Sequence, residues 1–356
     1  MAQIDGGELR RIREAERGED PRAFLSWLNA ALGRKYDLPR LSRWESGREK
    51  VPDVVALFLA TQRGSAVAAP PVPAPVPERS AHVFAVANHK GGVGKTTTAV
   101  NLAWGMAAAG MKVLVVDLDP QSDATLHLGL DREEVRESGL HMPAVLRGRC
   151  GVEETLRQYD GTGLWIAPSA KDLTDAEKEI TSSIGGEKRL AQRIEPVRSR
   201  FDAIVFDCAP NKNTLTISAL AMAEFLCIPV QAEFLAVQGM LHLLDTVTQV
   251  RECYNPGLTI LPVLPTMYAA KNSQDRATLE ELNQLVGGLV PIFEAVPRAT
   301  VFGQAAAAGH PALRAKPKAK AVAVYGAYVS DILSRLTPPA AASKRAAGKR
   351  KEMAHG

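Results

Sequence analysis

Residues 88–98 read Asn88-His89-Lys90-Gly91-Gly92-Val93-Gly94-Lys95-Thr96-Thr97-Thr98, between an apolar run (83–87, VFAVA) and a helical pattern (96–109). A glycine-rich segment that joins a strand to a helix constrains a fold strongly, because its backbone N–H groups turn inward around phosphate oxygens. The helix start adds partial positive charge to that cradle, and Lys95 adds a full one. Gly91, Gly92, Val93 and Gly94 supply the loop backbone, with Thr97 next along the helix. The Thr96 hydroxyl is the expected ligand of a Mg²⁺ ion. The alternative, a tight turn with an incidental lysine, leaves three glycines and Gly-Lys-Thr unexplained at one junction.

The rest of the chain supports a sheet that would carry such a loop. Short apolar runs at 83–87, 112–117, 164–167, 203–207, 225–230 and 258–263 alternate with helical patterns at 96–109, 187–200, 214–223, 237–252, 275–286 and 321–336. Continuous apolar strands with interleaved helices predict an α/β fold, a doubly wound and mostly parallel sheet covered on both faces. Ligands in such sheets sit beyond the carboxyl ends of the strands. Carboxylates stand at those ends: Asp117 and Asp119 in Val-Val-Asp-Leu-Asp-Pro-Gln, and Asp207 in Val-Phe-Asp-Cys-Ala-Pro. Two acids at i and i+2 on an extended chain point the same way. A terminal carboxylate after an apolar strand suits a holder of Mg²⁺.

KGGVGKTT departs from the ordinary phosphate loop, because His89 stands where that pattern begins with glycine and a second lysine, Lys90, follows. This form resembles the ParA/MinD/nitrogenase-iron-protein group of ATPases. DLDPQ, FDCAP, the stretch 214–247, Pro297-Arg298 and the last helical pattern look specifically like the ParA partition ATPases, so the resemblance covers roughly residues 82–336. It implies ATP and Mg²⁺ as cofactors, with Lys90 reaching the partner subunit's phosphates in an ATP-dependent homodimer. It further implies that Asp119 orients the attacking water, that Asp117 supports the metal or the water network, and that Asp207 holds the metal. Pro297 and Arg298 become pointers to the adenine site. Ser122-Asp123 stand where many relatives have Gly-Asn, and Ala209-Pro210-Asn211 where many have Pro-Pro-Ser.

The expected organisation is four-part. Residues 1–64 are helical; 65–80 form a Pro/Ala-rich spacer, polyproline-like because 65–77 carry neither charge nor helical pattern; 81–337 are the ATPase domain; 338–356 form a basic, disordered tail. Helices are expected at 8–16, 21–32, 38–45 and 53–60. Residues 38–52, LPRLSRWESGREKVP, resemble the recognition helix and turn of the Cro/repressor helix-turn-helix family. That resemblance puts Leu41 and Trp44 in the core and Arg40, Ser42, Arg43 and Arg48 toward DNA. A partner-docking helical domain is the alternative. Its twelve Lys/Arg against ten acids favour reading by a few side chains over bulk attraction.

Net charge is +4, yet the stretch from Arg314 onward carries +8 and the remainder −4. Arg314, Lys316, Lys318 and Lys320 precede the last helix and are candidates to meet DNA phosphates without sequence preference. That helix has no lysine stripe, so core packing is expected rather than attachment to a membrane surface. No run of 18 apolar residues is present, which excludes a spanning helix, and the first residues do not form a secretory signal. Four cysteines without CxxC spacing (Cys150, Cys208, Cys227, Cys253) suit a reducing cytoplasm. The expected function is an ATP-dependent DNA-segregation ATPase on the nucleoid, stimulated by a ParB-like centromere-binding protein. The alternative is an ATP-switched transcriptional regulator acting through the N-terminal helices.

Overall fold

The computed structural model describes residues 4–17, 20–63, 81–233 and 236–336. The expected spacer at 65–80 and the basic tail at 338–356 lie outside the described residues. Among the described residues nine strands form: β1 His82–Val86, β2 Val113–Leu118, β3 Arg157–Gln158, β4 Leu164–Ala167, β5 Ala203–Cys208, β6 Phe225–Cys227, β7 Pro229–Gln231, β8 Thr259–Ile260 and β9 Leu264–Thr266. Seven form one sheet in the order β3-β4-β2-β5-β1-β6-β8. Every neighbouring pair in it is parallel except β3 with β4.

Burial on both faces explains why the strands read as unbroken apolar runs. Along β1, Val83 and Ala85 enter one core, while Phe84 and Val86 enter the other. The helix after the loop, Lys95–Ala108, and the last helix, Lys320–Leu336, cover the second face. Tyr325 and Tyr328 of the last helix are fully buried, which bears out core packing. No helix among the described residues is long and apolar enough to cross a membrane.

Two expected strands divide differently. The run 225–230 splits into β6 in the main sheet and β7, which pairs with β9 as a separate ribbon. Pro229 lacks an N–H and cannot continue the ladder, so the chain leaves the sheet there. Of 258–263 only Thr259–Ile260 is strand, and β9 starts one residue beyond that run. Short helices at Asp123–His127, Arg132–Ser138, Met142–Arg147 and Val301–Ala307 were not expected, being too brief to show a helical period, and Leu173–Thr181 was not expected either.

The N-terminal part forms four helices: α1 Gly6–Arg17, α2 Pro21–Leu32, α3 Leu38–Glu45 and α4 Asp53–Arg63. Asp20 caps α2 by accepting from Arg22 N, and Asp37 caps α3 by accepting from Arg40 N. Leu9, Phe24, Leu28, Leu41, Trp44 and Leu59 make its own core, with Leu41 and Trp44 inside as expected. Leu289 of the α/β body packs against that core, and α4 contacts the helix Ala236–Cys253.

Candidate active site

The parallel sheet brings three carboxylates to one edge. Asp117 on β2 is register partner to Asp207 on β5, and Asp207 is partner to Val86, two residues before Asn88. The loop is anchored from below by Asn88, whose Nδ2 donates to Pro229 O at 2.8 Å and whose Oδ1 accepts from Lys90 N at 3.0 Å. From the side, Thr266 Oγ1 donates to Val93 O at 2.8 Å. Gly92 and Gly94 sit at φ of 75° and 86°, a conformation open to glycine at little cost, and this lets the loop curl.

Lys95 is 6% exposed, and its Nζ donates to Lys90 O at 2.8 Å. Burial lowers its pKa, while Asp207 and Asp119 oppose that shift. Asp207 is wholly buried, and neither carboxylate oxygen makes a well-formed hydrogen bond, although the Thr96 hydroxyl lies close enough to stabilise its charge. Burial, followed by the charge of Asp117, holds its pKa well above the ordinary carboxylate value; Thr96 and Lys95 offset part of this. A buried carboxylate with open lone pairs next to the loop threonine fits a hydrated Mg²⁺ ion, which completes its shell with water and phosphate oxygens rather than with an all-protein cage.

Asp117 and Asp119 separate in role. Asp117 Oδ2 accepts from Thr125 N at 2.9 Å and Thr125 Oγ1 at 2.7 Å, and Oδ1 accepts from Asp119 N at 3.1 Å. Burial pushes its pKa up to about 7 despite those donors. Its lone pairs therefore hold the segment that carries Asp119. Asp119 accepts from Gln121 N at 2.8 Å, and burial raises its pKa while Lys95 lowers it. Between these anchors Ser122 adopts φ 55°, a strained state for a residue with a Cβ.

Lys90 does not reach into the loop. Its Nζ pairs with Glu233, just after β7. In the segment after β5, Asn213 caps the helix Thr214–Met222 by accepting from Thr216 N at 2.8 Å, and its Nδ2 donates to Glu177 at 2.9 Å. Lys212 Nζ donates to Gln249 at 2.8 Å.

Pro297 and Arg298 line a 470 Å³ cavity that opens beside Gly94 and Thr97. The spacing of single residues did not reveal its other walls, which include Gln231, Thr266, Met267, Phe302 and His127. Thr266 and Met267 lie at the end of β9, the strand that the sequence pattern did not resolve. Met267 also holds a positive φ of 53°.

The basic side chains differ in their surroundings. Arg314 pairs with Asp160 and lies over Tyr159 and Trp104, at 4.9 and 5.5 Å from the ring centroids. Lys316, Lys318 and Lys320 are exposed and have no ion-pair partner among the described residues. In the N-terminal module, Glu49 pairs with Arg40 at 2.8 Å and with Arg43 at 3.0 Å, while Ser42 and Arg48 are exposed. Arg40 also lies over Tyr36 and Trp44, 5.6 Å from each centroid.

A family described as AAA domain matches residues 81–260. The chromosome partitioning protein ParA of Caulobacter vibrioides is 34% identical over 256 residues, 71% of this chain and 94% of that protein. The sporulation initiation inhibitor protein Soj of Bacillus subtilis is 34% identical over 243 residues, 68% of this chain and 94% of Soj. Among solved structures, cobyrinic acid a,c-diamide synthase of Mycobacterium smegmatis with bound ADP and magnesium superposes at a TM-score of 0.62. It is 29% identical, and the match covers 72% of this chain and 95% of that one.

Proposed function

The chain belongs to the ParA-type ATPases of the ParA/MinD superfamily, and from that premise we propose a DNA-partition role. In this reading ATP with Mg²⁺ closes two copies face to face, and the closed dimer lies on DNA of any sequence in the nucleoid. A centromere-binding partner on cargo DNA then stimulates hydrolysis and release. The observation that carries the catalytic half is the buried Lys95 ammonium beside the buried Asp207 carboxylate, which makes no well-formed hydrogen bond, at the edge where the phosphate loop ends. Mg²⁺ supplies neutralisation of phosphate charge there, with Thr96 and Asp207 as its protein ligands. Lys95 leaves the Lys90 carbonyl for the phosphates, and Asp119 orients water. Asp117 holds the Asp119 segment through Thr125. Lys90 must leave Glu233 to meet the partner's phosphates.

The N-terminal helices act as the sequence-reading DNA module, through Arg40, Ser42, Arg43 and Arg48. A regulatory reading gains support from one contact: α4 rests on the helix Ala236–Cys253, which starts three residues after Glu233. Operator binding that differs between ATP and ADP would favour regulation as a second role.

Light scattering tests the site assignments. With ATP, Asp119→Ala should accumulate as a dimer, because the phosphate grip is intact, and Lys90→Ala should bind nucleotide yet stay monomeric. The reverse pattern would show the two roles to be wrongly assigned.

A further inference from the structure

Among the polar side chains lining the cavity beside the phosphate loop, His127 is one that the phosphate chemistry does not use. It stands at the end of the short helix Asp123–His127. The cavity runs from Gly94 of the loop and Thr97 of the following helix to Met267, Pro297 and Phe302, the side on which a nucleoside would extend from phosphates held at Lys95. Its volume falls within the few-hundred-Å³ range usual for small-ligand sites. Two hydroxyls in its wall are already engaged: Thr266 Oγ1 donates to Val93 O, and Tyr325 pairs with Thr98 Oγ1 at 3.1 Å. His127 makes no hydrogen bond to any described residue, and the side chain of Gln231 likewise makes none.

The backbone fixes where His127 stands. Upstream, Thr125 is tied to Asp117 through both its N–H and its hydroxyl. Downstream, Gly129 meets Gly309 so closely that a Cβ on Gly309 would fall 2.8 Å from Gly129 Cα. That contact sets the helix against Val301–Ala307, whose Phe302, Gly303 and Ala306 form the facing wall. Burial lowers the pKa of the ring and so favours its neutral form, with Asp123 opposing and Arg132 adding to that effect. A neutral imidazole offers one donor and one acceptor in addition to a flat face.

We propose that His127 contacts the nucleoside of bound ATP and helps set nucleoside specificity. Because its helix follows directly on the Asp119 loop, the same contact ties recognition of the nucleoside to the segment that orients water. The inference rests on the nucleoside occupying this cavity, and the experiment separates the two claims.

Steady-state hydrolysis should be measured with ATP, GTP and 2′-deoxy-ATP for wild type, His127→Ala, His127→Gln and Phe302→Ala. His127→Ala should raise KM for ATP about tenfold, the size of one missing ligand hydrogen bond, with kcat within about twofold. His127→Gln should recover part of the affinity by restoring a donor and an acceptor. If His127→Ala narrows the preference for ATP over GTP, the contact is to the base; if it narrows the preference for ATP over 2′-deoxy-ATP, the contact is to the ribose. An unchanged KM in His127→Ala, with KM raised in Phe302→Ala, would overturn the role of His127 while keeping the cavity. An unchanged KM in both would overturn the cavity reading. A fall in kcat at constant KM would also contradict the proposal, since His127 would then act only through the Asp119 loop.

Discussion

The phosphate loop and the basic stretch before the last helix hold their cations differently. At the loop, the fold buries Lys95 and gives its ammonium a single backbone carbonyl, while Asp207 lies close by with neither oxygen in a well-formed hydrogen bond. In the basic stretch, Arg314 is satisfied by Asp160, Tyr159 and Trp104, and only Lys316, Lys318 and Lys320 remain exposed and unpaired among the described residues. The difference lies in direct pairing: Lys95 makes no ion pair with an acid among the described residues, although Asp207 and Asp119 are near, whereas Arg314 is paired outright. Arg40 and Arg43 belong with Arg314 in this respect, since Glu49 holds both.

The largest effect should follow from removing the unsatisfied charge. Lys95→Ala should weaken ATP binding about a hundredfold or more, measured by titration with a fluorescent nucleotide, because no buried ammonium then meets the phosphates. Near-wild-type affinity would remove the loop from its side of the comparison.

Arg314 and Lys316 sharpen the other side. Arg314→Ala should cost about 1–2 kcal/mol of stability through its ring contacts and exposed ion pair, with little effect on DNA affinity. Lys316→Ala should leave the denaturant midpoint unchanged and make the salt dependence of DNA binding shallower, by about one unit for each phosphate that Lys316 neutralises. Equal effects of the two variants on DNA would mean that Arg314 is freed when DNA arrives.

Glu49→Gln tests whether the N-terminal arginines are masked or merely oriented. Freed from Glu49, Arg40 and Arg43 should raise nonspecific DNA affinity a few-fold at low salt and lower discrimination between operator and random sequence, measured by anisotropy. No change in either would favour a partner-docking role for the module. The smallest effect concerns Ser122. Ser122→Gly relieves a left-handed residue and should gain about 0.5–1 kcal/mol in thermal or denaturant unfolding, after the entropy cost of glycine.

What could be read from the chain followed how far apart the interacting residues lie. Strand, loop and Lys95 are contiguous, and the apolar runs ending in Asp117 and Asp207 needed only a parallel sheet to bring them together. Helices at 21–32 and 38–45 matched to the residue because Asp20 and Asp37 cap them. The cavity beside the phosphate loop was legible only at Pro297-Arg298, since Thr266, Phe302 and His127 sit on a three-residue strand and two short helices with no readable period. The pairing of Arg314 was not legible because Asp160 is 154 positions away and nothing local signals it. Glu49 lay within the quoted motif, yet its hold on two arginines depends on the turn after α3.

Binding of random-sequence duplex across a salt series, with ATP and with ADP, tests the partition account most directly. With ATP, two copies present Lys316, Lys318 and Lys320 together. If about three to six of these lysines meet phosphates, the log–log slope should be roughly −3 to −5. With ADP the slope should be about half as steep and the affinity much weaker. Equal affinity and slope with the two nucleotides would contradict a nucleotide-gated DNA clamp.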